Sequence, residues 1–170
     1  DVISMSLSVM KRLFATTGIM PDQVGRVEVG SETLLDTSKS AKTVLMSLFE
    51  DTTDIEGVTS FNACYGGTAA LLNSIAWVQS EAWDGRYAVV VTSDIAVYAP
   101  GPARATVGAG SVALLIGSNA ALVLEQARAS PCAPAVDFCK PLGEPFPVVA
   151  GPLSHECSFT ALRTCWPALG

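Results

Sequence analysis

Tyr87-Ala88-Val89-Val90-Val91-Thr92 is an apolar run without a polar interruption. A strand open to water on one side alternates polar and apolar residues; one without alternation is covered on both faces. The run therefore demands layers of structure above and below it. Its flanks supply helical patterns. Ile3, Leu7, Met10, Leu13 and Phe14 recur at helical spacing before Gly18, and Ala41, Val44, Leu45, Leu48 and Phe49 do so after Ser38 and Ser40, either of which can cap that helix. Between them Val24–Val29 reads as a short strand ending at Gly30, and Val58–Phe61 as another. Helices alternating with apolar strands specify an α/β layered domain.

Tyr65 to about Ser80 is apolar on nearly every side, which predicts a helix buried all round. Trp83-Asp84-Gly85 closes it. Ser93–Gly110 reads as loop, with Pro100, Gly101, Pro102, Gly108 and Gly110. Ser111–Ile116 and Ala121–Glu125 read as a hairpin around Gly117-Ser118-Asn119-Ala120. Beyond Ala127 periodicity weakens: six prolines fall between 131 and 153, and a short helix is expected around Phe159–Cys165. The expected division is 1–127 as the main domain and 128–170 as a connecting segment.

The chemistry concentrates in Asn62-Ala63-Cys64-Tyr65-Gly66-Gly67-Thr68. Cys64 stands at the start of the apolar helix, where unpaired N–H groups carry partial positive charge and are expected to lower a thiol pKa. The glycines let an acyl group approach the backbone. An inert, hydrophobic cysteine is the other reading. Glu32 follows the strand ending at Gly30, and Asp94 follows the strand ending at Thr92. Functional groups of open α/β sheets gather beyond the carboxyl ends of strands, although a solvated loop acid and a turn acid fit the same positions. Asp137, in an aromatic, proline-flanked stretch, reads as a turn residue or a site acid. Thr106 lies in a loop able to line a cavity, and His155, the only histidine, has no triad beside it.

Composition narrows the partners. The 170 residues are enough for one core-bearing domain. With a net charge of −6 and scattered lysines and arginines, the chain has no basic stripe for nucleic acid. No apolar run reaches the roughly 18 residues of a membrane span. At 49% hydrophobic and 15% charged, the chain is apolar enough to expect surface buried against a partner subunit or a further part of the same protein. Five cysteines without a C-x-x-C pair support neither a disulfide framework nor a zinc site, and a reducing compartment is the simpler reading.

Val24 to Gly117 resembles the 3-hydroxy-3-methylglutaryl-CoA synthase family of the thiolase-fold superfamily. The resemblance is carried by Gly25-Arg26-Val27-Glu28-Val29-Gly30-Ser31-Glu32-Thr33, Asp36-Thr37-Ser38-Lys39-Ser40, Thr53-Asp54-Ile55-Glu56-Gly57, the Cys64 motif, Trp83-Asp84-Gly85-Arg86-Tyr87 and Asp94-Ile95-Ala96-Val97-Tyr98. It extends more loosely through Asp137-Phe138-Cys139-Lys140-Pro141 and Leu153-Ser154. It implies a thiolase-like half-domain with a mixed sheet, the first of the two related halves of the family fold. It further implies that Cys64 takes an acetyl group from acetyl-CoA and that Glu32 acts as general acid and base toward acetoacetyl-CoA. Thr106 and Ser154 would then contact the CoA substrate, with Asp94, Tyr98 and Asp137 in or near the active site. No metal or redox cofactor is implied; a homodimer is, and the location is cytoplasmic or mitochondrial.

The chain departs from the family pattern at Pro102, where the family has Asn, and at Ala150 and Pro152, where it has Asp and Lys. The family histidine lies outside the matched region, and His155 does not align with it. These departures lead to the expectation that the isolated chain acetylates slowly at Cys64 without completing condensation. A ketoacyl synthase III or chalcone-synthase type of enzyme, and a non-catalytic acyl-CoA-binding or dimerising remnant, are the competing readings.

Overall fold

The computed structural model describes residues 1–168. The chain forms two compact units, the first built from Asp1–Ala96 and Val107–Ala120, the second from Val97–Thr106 and the chain from Ala121 onward.

The first unit is a sheet with helices on both faces. Its strands are β1 (Val24–Gly30), β2 (Thr59–Ser60), β3 (Tyr87–Ala96) and β4 (Gly108–Ile116), in the order β2-β1-β3-β4. β1 runs parallel to β2 and β3, and β4 returns antiparallel to β3, so the sheet is mixed. The helices are α1 (Val2–Thr17), α2 (Ala41–Leu45) and α3 (Tyr65–Val78). Asp1 caps α1 by accepting from the Ser4 N–H at 2.8 Å, and Gly18, in the left-handed region at φ 71°, ends it.

Val89, Val90 and Val91 are fully buried, as the apolar run requires. Val89 and Val91 join Val27, Val29, Met10, Leu45 and Phe49 in one core beneath α1 and α2. Val90 and Thr92 point the other way, toward α3. Each buried valine contributes about 1.5–3 kcal/mol, so this strand is the strongest single anchor of the unit.

Several expectations change. α3 buries Gly66, Ala70, Ser74 and Trp77 against the sheet, but Tyr65, Thr68, Asn73 and Ala76 are exposed. Uniform apolarity does not bury a helix that has only one sheet to pack on. β3 continues through Ala96, so Asp94 lies within the strand rather than past it. β4 pairs along its whole length with β3, from Ala88↔Ile116 to Ala96↔Gly108, and the 121–125 segment forms no strand. A long antiparallel return along β3 satisfies more backbone groups than a local hairpin would. Ser40 precedes α2, but its hydroxyl meets Thr59 Oγ1 at 2.6 Å instead of capping the helix.

In the second unit, β5 (Phe138–Cys139) and β6 (Val148–Val149) make a short antiparallel ladder inside the proline-rich stretch. α4 spans Gly151–Cys165, eight residues longer at its start than the helix expected from Phe159. Pro152 opens it, because the first helical turn has no use for the N–H that proline lacks.

Candidate active site

The site is set by a backbone contact. Gly30, at the end of β1, lies so close to α3 that a Cβ there would stand 2.4 Å from the Gly67 nitrogen. A Cβ on Gly66 would stand 2.6 Å from the Ser60 carbonyl oxygen. Only glycine allows this approach. Between β2 and α3 the chain turns through Ala63, which takes a left-handed φ of 43°, and then enters the helix at Cys64. Glu32 lies just past Gly30 and Cys64 just before Gly66, so the glycine contact brings them together. The Cys64 thiol donates to Glu32 Oε1 at 3.4 Å. The thiol is exposed rather than enclosed in hydrocarbon, and Glu32 is half-buried.

Asp94 holds the loop that carries Glu32. Its Oδ1 accepts from the Glu32 N–H at 2.9 Å, from the Ser31 hydroxyl at 3.1 Å and from the Thr33 hydroxyl at 2.8 Å. The two acids and the thiol, expected at neighbouring strand ends, therefore meet. Ser31 and Thr33 were not singled out from the sequence. Two hydroxyl residues flanking an acid at a strand end are the signal that would have found them.

The electrostatics reverse one expectation. The Cys64 thiol is pushed above its ordinary pKa, first by burial of part of its surface, then by its hydrogen bond to Glu32 and by the charges of Glu32 and Asp94. Burial and the two carboxylates together outweigh the partial charge of the helix start. The group here is thus a neutral thiol with its proton already aimed at a carboxylate, not a free-standing thiolate.

Tyr98, Thr106, Asp137 and Ser154 belong to the second unit. There the Tyr98 carbonyl accepts from Arg104 Nη1 at 2.6 Å, and the Thr106 hydroxyl donates to the Ala103 carbonyl at 2.7 Å. The Asp137 carbonyl accepts from the Ala150 N–H at 2.7 Å, and the Ser154 N–H donates to the Ala150 carbonyl at 2.9 Å. Asp137 lines a cavity of about 630 Å³ with Cys132, Leu153 and Cys157, while Ser154 is not among its walls. His155 is exposed on α4. Among the described residues no three His, Cys, Asp or Glu side chains gather to hold a metal ion, and no helix is long and apolar enough to cross a membrane.

A family model described as hydroxymethylglutaryl-coenzyme A synthase N terminal matches residues 1–121. The chain belongs to the hydroxymethylglutaryl-CoA synthase family. It is 52% identical to the cytoplasmic synthase of Gallus gallus, over 98% of this chain and 33% of that protein. It is 54% identical to the mitochondrial synthase of Rattus norvegicus, over 99% of this chain and 34% of that protein. This chain thus spans about a third of the length of the curated synthases it matches. Among solved structures, MvaS in complex with 3-hydroxy-3-methylglutaryl coenzyme A superposes with a TM-score of 0.92 at 30% identity, covering 99% of this chain and 41% of that one. PksG, an HMG-CoA synthase from Bacillus subtilis, shares the fold at a TM-score of 0.88 and 21% identity, over 99% of this chain and 42% of that one. The architecture is therefore the α/β, thiolase-like N-terminal part of a synthase. Cytoplasmic and mitochondrial synthases both stand among the relatives, so likeness alone does not choose a compartment.

Proposed function

We propose that this chain carries the acyl-acceptor site of a condensation that joins acetyl-CoA, acetoacetyl-CoA and water into 3-hydroxy-3-methylglutaryl-CoA and CoA. The observation that supports the reading is the thiol–carboxylate pair at 3.4 Å, braced from behind by Asp94. The Cys64 sulfur attacks the carbonyl of acetyl-CoA as its proton passes to Glu32. The new S–C bond forms, the bond to the CoA sulfur breaks, and CoA leaves with that proton. Covalent capture divides one hard step into two easier ones.

Glu32, again a carboxylate, then takes a proton from the methyl of the acetyl thioester. The carbanion attacks the ketone carbon of acetoacetyl-CoA, and the resulting alkoxide recovers the proton from Glu32. Water cleaves the thioester and restores the Cys64 thiol. A base 3.4 Å from the sulfur lies within reach of a methyl group two bonds beyond it. The bond changes are acyl transfers, proton transfers and one addition of a carbanion to a ketone, with no net oxidation or reduction, so the scheme calls for no metal or redox cofactor. Thr106 and Ser154 contact CoA, Tyr98 and Asp137 support the site, and two copies pair as a homodimer in the same reading. Pro102, which offers no side-chain hydrogen bond, weakens acyl-CoA affinity.

Incubation with radiolabelled acetyl-CoA tests this. The purified chain is expected to acquire label at Cys64, located by peptide mapping, and Cys64→Ala to acquire none. Glu32→Ala is expected to take up label more slowly, for want of the base that accepts the thiol proton, and to lose exchange of the acetyl methyl protons with solvent deuterium. An unlabelled wild-type chain, or label that survives in Cys64→Ala, would sink the proposal. Proton exchange unaffected by Glu32→Ala would favour a condensing enzyme of the ketoacyl synthase III type.

A further inference from the structure

β1 stops pairing with β3 at Gly30↔Thr92, yet β3 runs on to Ala96. Beyond that point the edge of β3 facing the departed β1 is met by side chains of the loop that follows β1. Thr33 does most there. Its hydroxyl donates to Asp94 Oδ1 at 2.8 Å and accepts from the Ile95 N–H at 3.0 Å. One oxygen therefore joins the loop to both the side chain and the backbone of β3. Ser31 reaches only the Asp94 side chain, at 3.1 Å, and accepts from the Thr33 N–H at 3.3 Å. Glu32 sits between these two hydroxyl residues, and its own N–H is tied to Asp94.

We propose that Thr33 is a positioning residue, whose hydroxyl extends the β1–β3 ladder by one side-chain rung and so keeps the Glu32 carboxylate against the Cys64 thiol. This rests on the reading of Cys64 and Glu32 as the reacting pair. Thr33 touches neither reacting atom and acts only through Glu32. Valine has the same shape but can make neither hydrogen bond, leaving the Ile95 N–H and one Asp94 lone pair unmet. Serine keeps the hydroxyl and drops only the methyl.

The proposal is tested without turnover, through the thiol itself. The charged groups facing Cys64 are Glu32, on the loop after β1, and Asp94, on β3. Iodoacetamide alkylation of Cys64 is followed against pH by peptide-resolved mass spectrometry, because the chain has five cysteines. Circular dichroism confirms that each variant is folded. Glu32→Gln is expected to move the alkylation midpoint to lower pH. Thr33→Val is expected to move it the same way, raising the rate near neutrality by about threefold, the equivalent of about half a pH unit. Thr33→Ser is expected to stay with the wild type. A Thr33→Val midpoint that stays put while Glu32→Gln shifts overturns the positioning role alone. No shift in either overturns the thiol–carboxylate pair and the positioning role with it. A Thr33→Ser midpoint that moves overturns the hydroxyl as the cause, and this result stands whether or not the valine variant folds.

Discussion

The two units differ in how they keep their residues in place. In the first, Phe49, Met10, Leu45 and the β1 and β3 valines are fully enclosed. In the second, no described residue is buried, and Leu122, Val123, Val136, Leu142 and Trp166 all stand more than 70% exposed. Its order comes from a two-residue ladder, a helix that opens on proline and local hydrogen bonds such as those of Arg104 and Thr106. Such contacts define shape but contribute little burial. The contrast teaches where a thiol and an acid can be held together: Cys64 and Glu32, 3.4 Å apart, sit on the unit that has a core.

The sharpest way to break this contrast is a pair of truncations. Phe49→Ala is expected to cost about 4 kcal/mol in urea unfolding, whereas Phe159→Ala, at 60% exposure, is expected to cost under about 0.5 kcal/mol. Equal costs would mean that the second unit has a core of its own.

A second test probes charge rather than volume. Arg26 Nη2 lies 2.7 Å from Glu28 Oε1, and the Glu28 side chain is wholly buried. Arg26→Met leaves that carboxylate uncompensated and is expected to cost about 3 kcal/mol, measured in the same unfolding experiment. A neutral result would show that water reaches Glu28.

Glycines give a third comparison. Gly30→Ala sets a methyl against the Gly67 backbone and is expected to cost about 2–3 kcal/mol, with a change in Cys64 alkylation rate. Gly143→Ala meets open space, so only its φ of 87° opposes the change, at about 1 kcal/mol.

The smallest effect lies at Asp84. The Arg86 N–H and guanidinium hold its carboxyl below the ordinary Asp range. A depressed native pKa adds stability above the unfolded value, near about pH 4, and that stability fades as pH falls through the native value. Asp84→Asn is therefore expected to lower stability by about 0.5 kcal/mol or less at neutral pH, since this pair is largely exposed, and to match the wild type in strong acid. A difference that persists in acid would point to the amide's shape, not to charge.

These contrasts follow how readily each region could be read from residues alone. The Tyr87–Thr92 run predicted its own enclosure, because unbroken apolarity has few other outlets. Gly30, Glu32 and the Cys64 motif were visible as strand-end and helix-start features. Two things were not. The length of β3 past Thr92 depends on β4 coming back along it, a pairing between residues distant in sequence. The rise in the Cys64 pKa depends on burial of part of the thiol and on Glu32 and Asp94 arriving from distant parts of the chain, whereas the helix start that argues for a lower value is adjacent in sequence. Glu28, which was not singled out from the sequence, is covered, with Arg26 as its counter-charge.

The contact of Gly30 with Gly66 and Gly67 is main chain on main chain, with no side chain in between to trim or enlarge. The spacing of the two backbones that carry the acid and the sulfur is accordingly set there, and the loop bonds of Thr33 and Asp94 set where on that frame the acid sits. Under the function proposed above, room for bulkier acyl donors cannot be made along that wall by trimming a side chain and must be sought on the opposite side of the thiol.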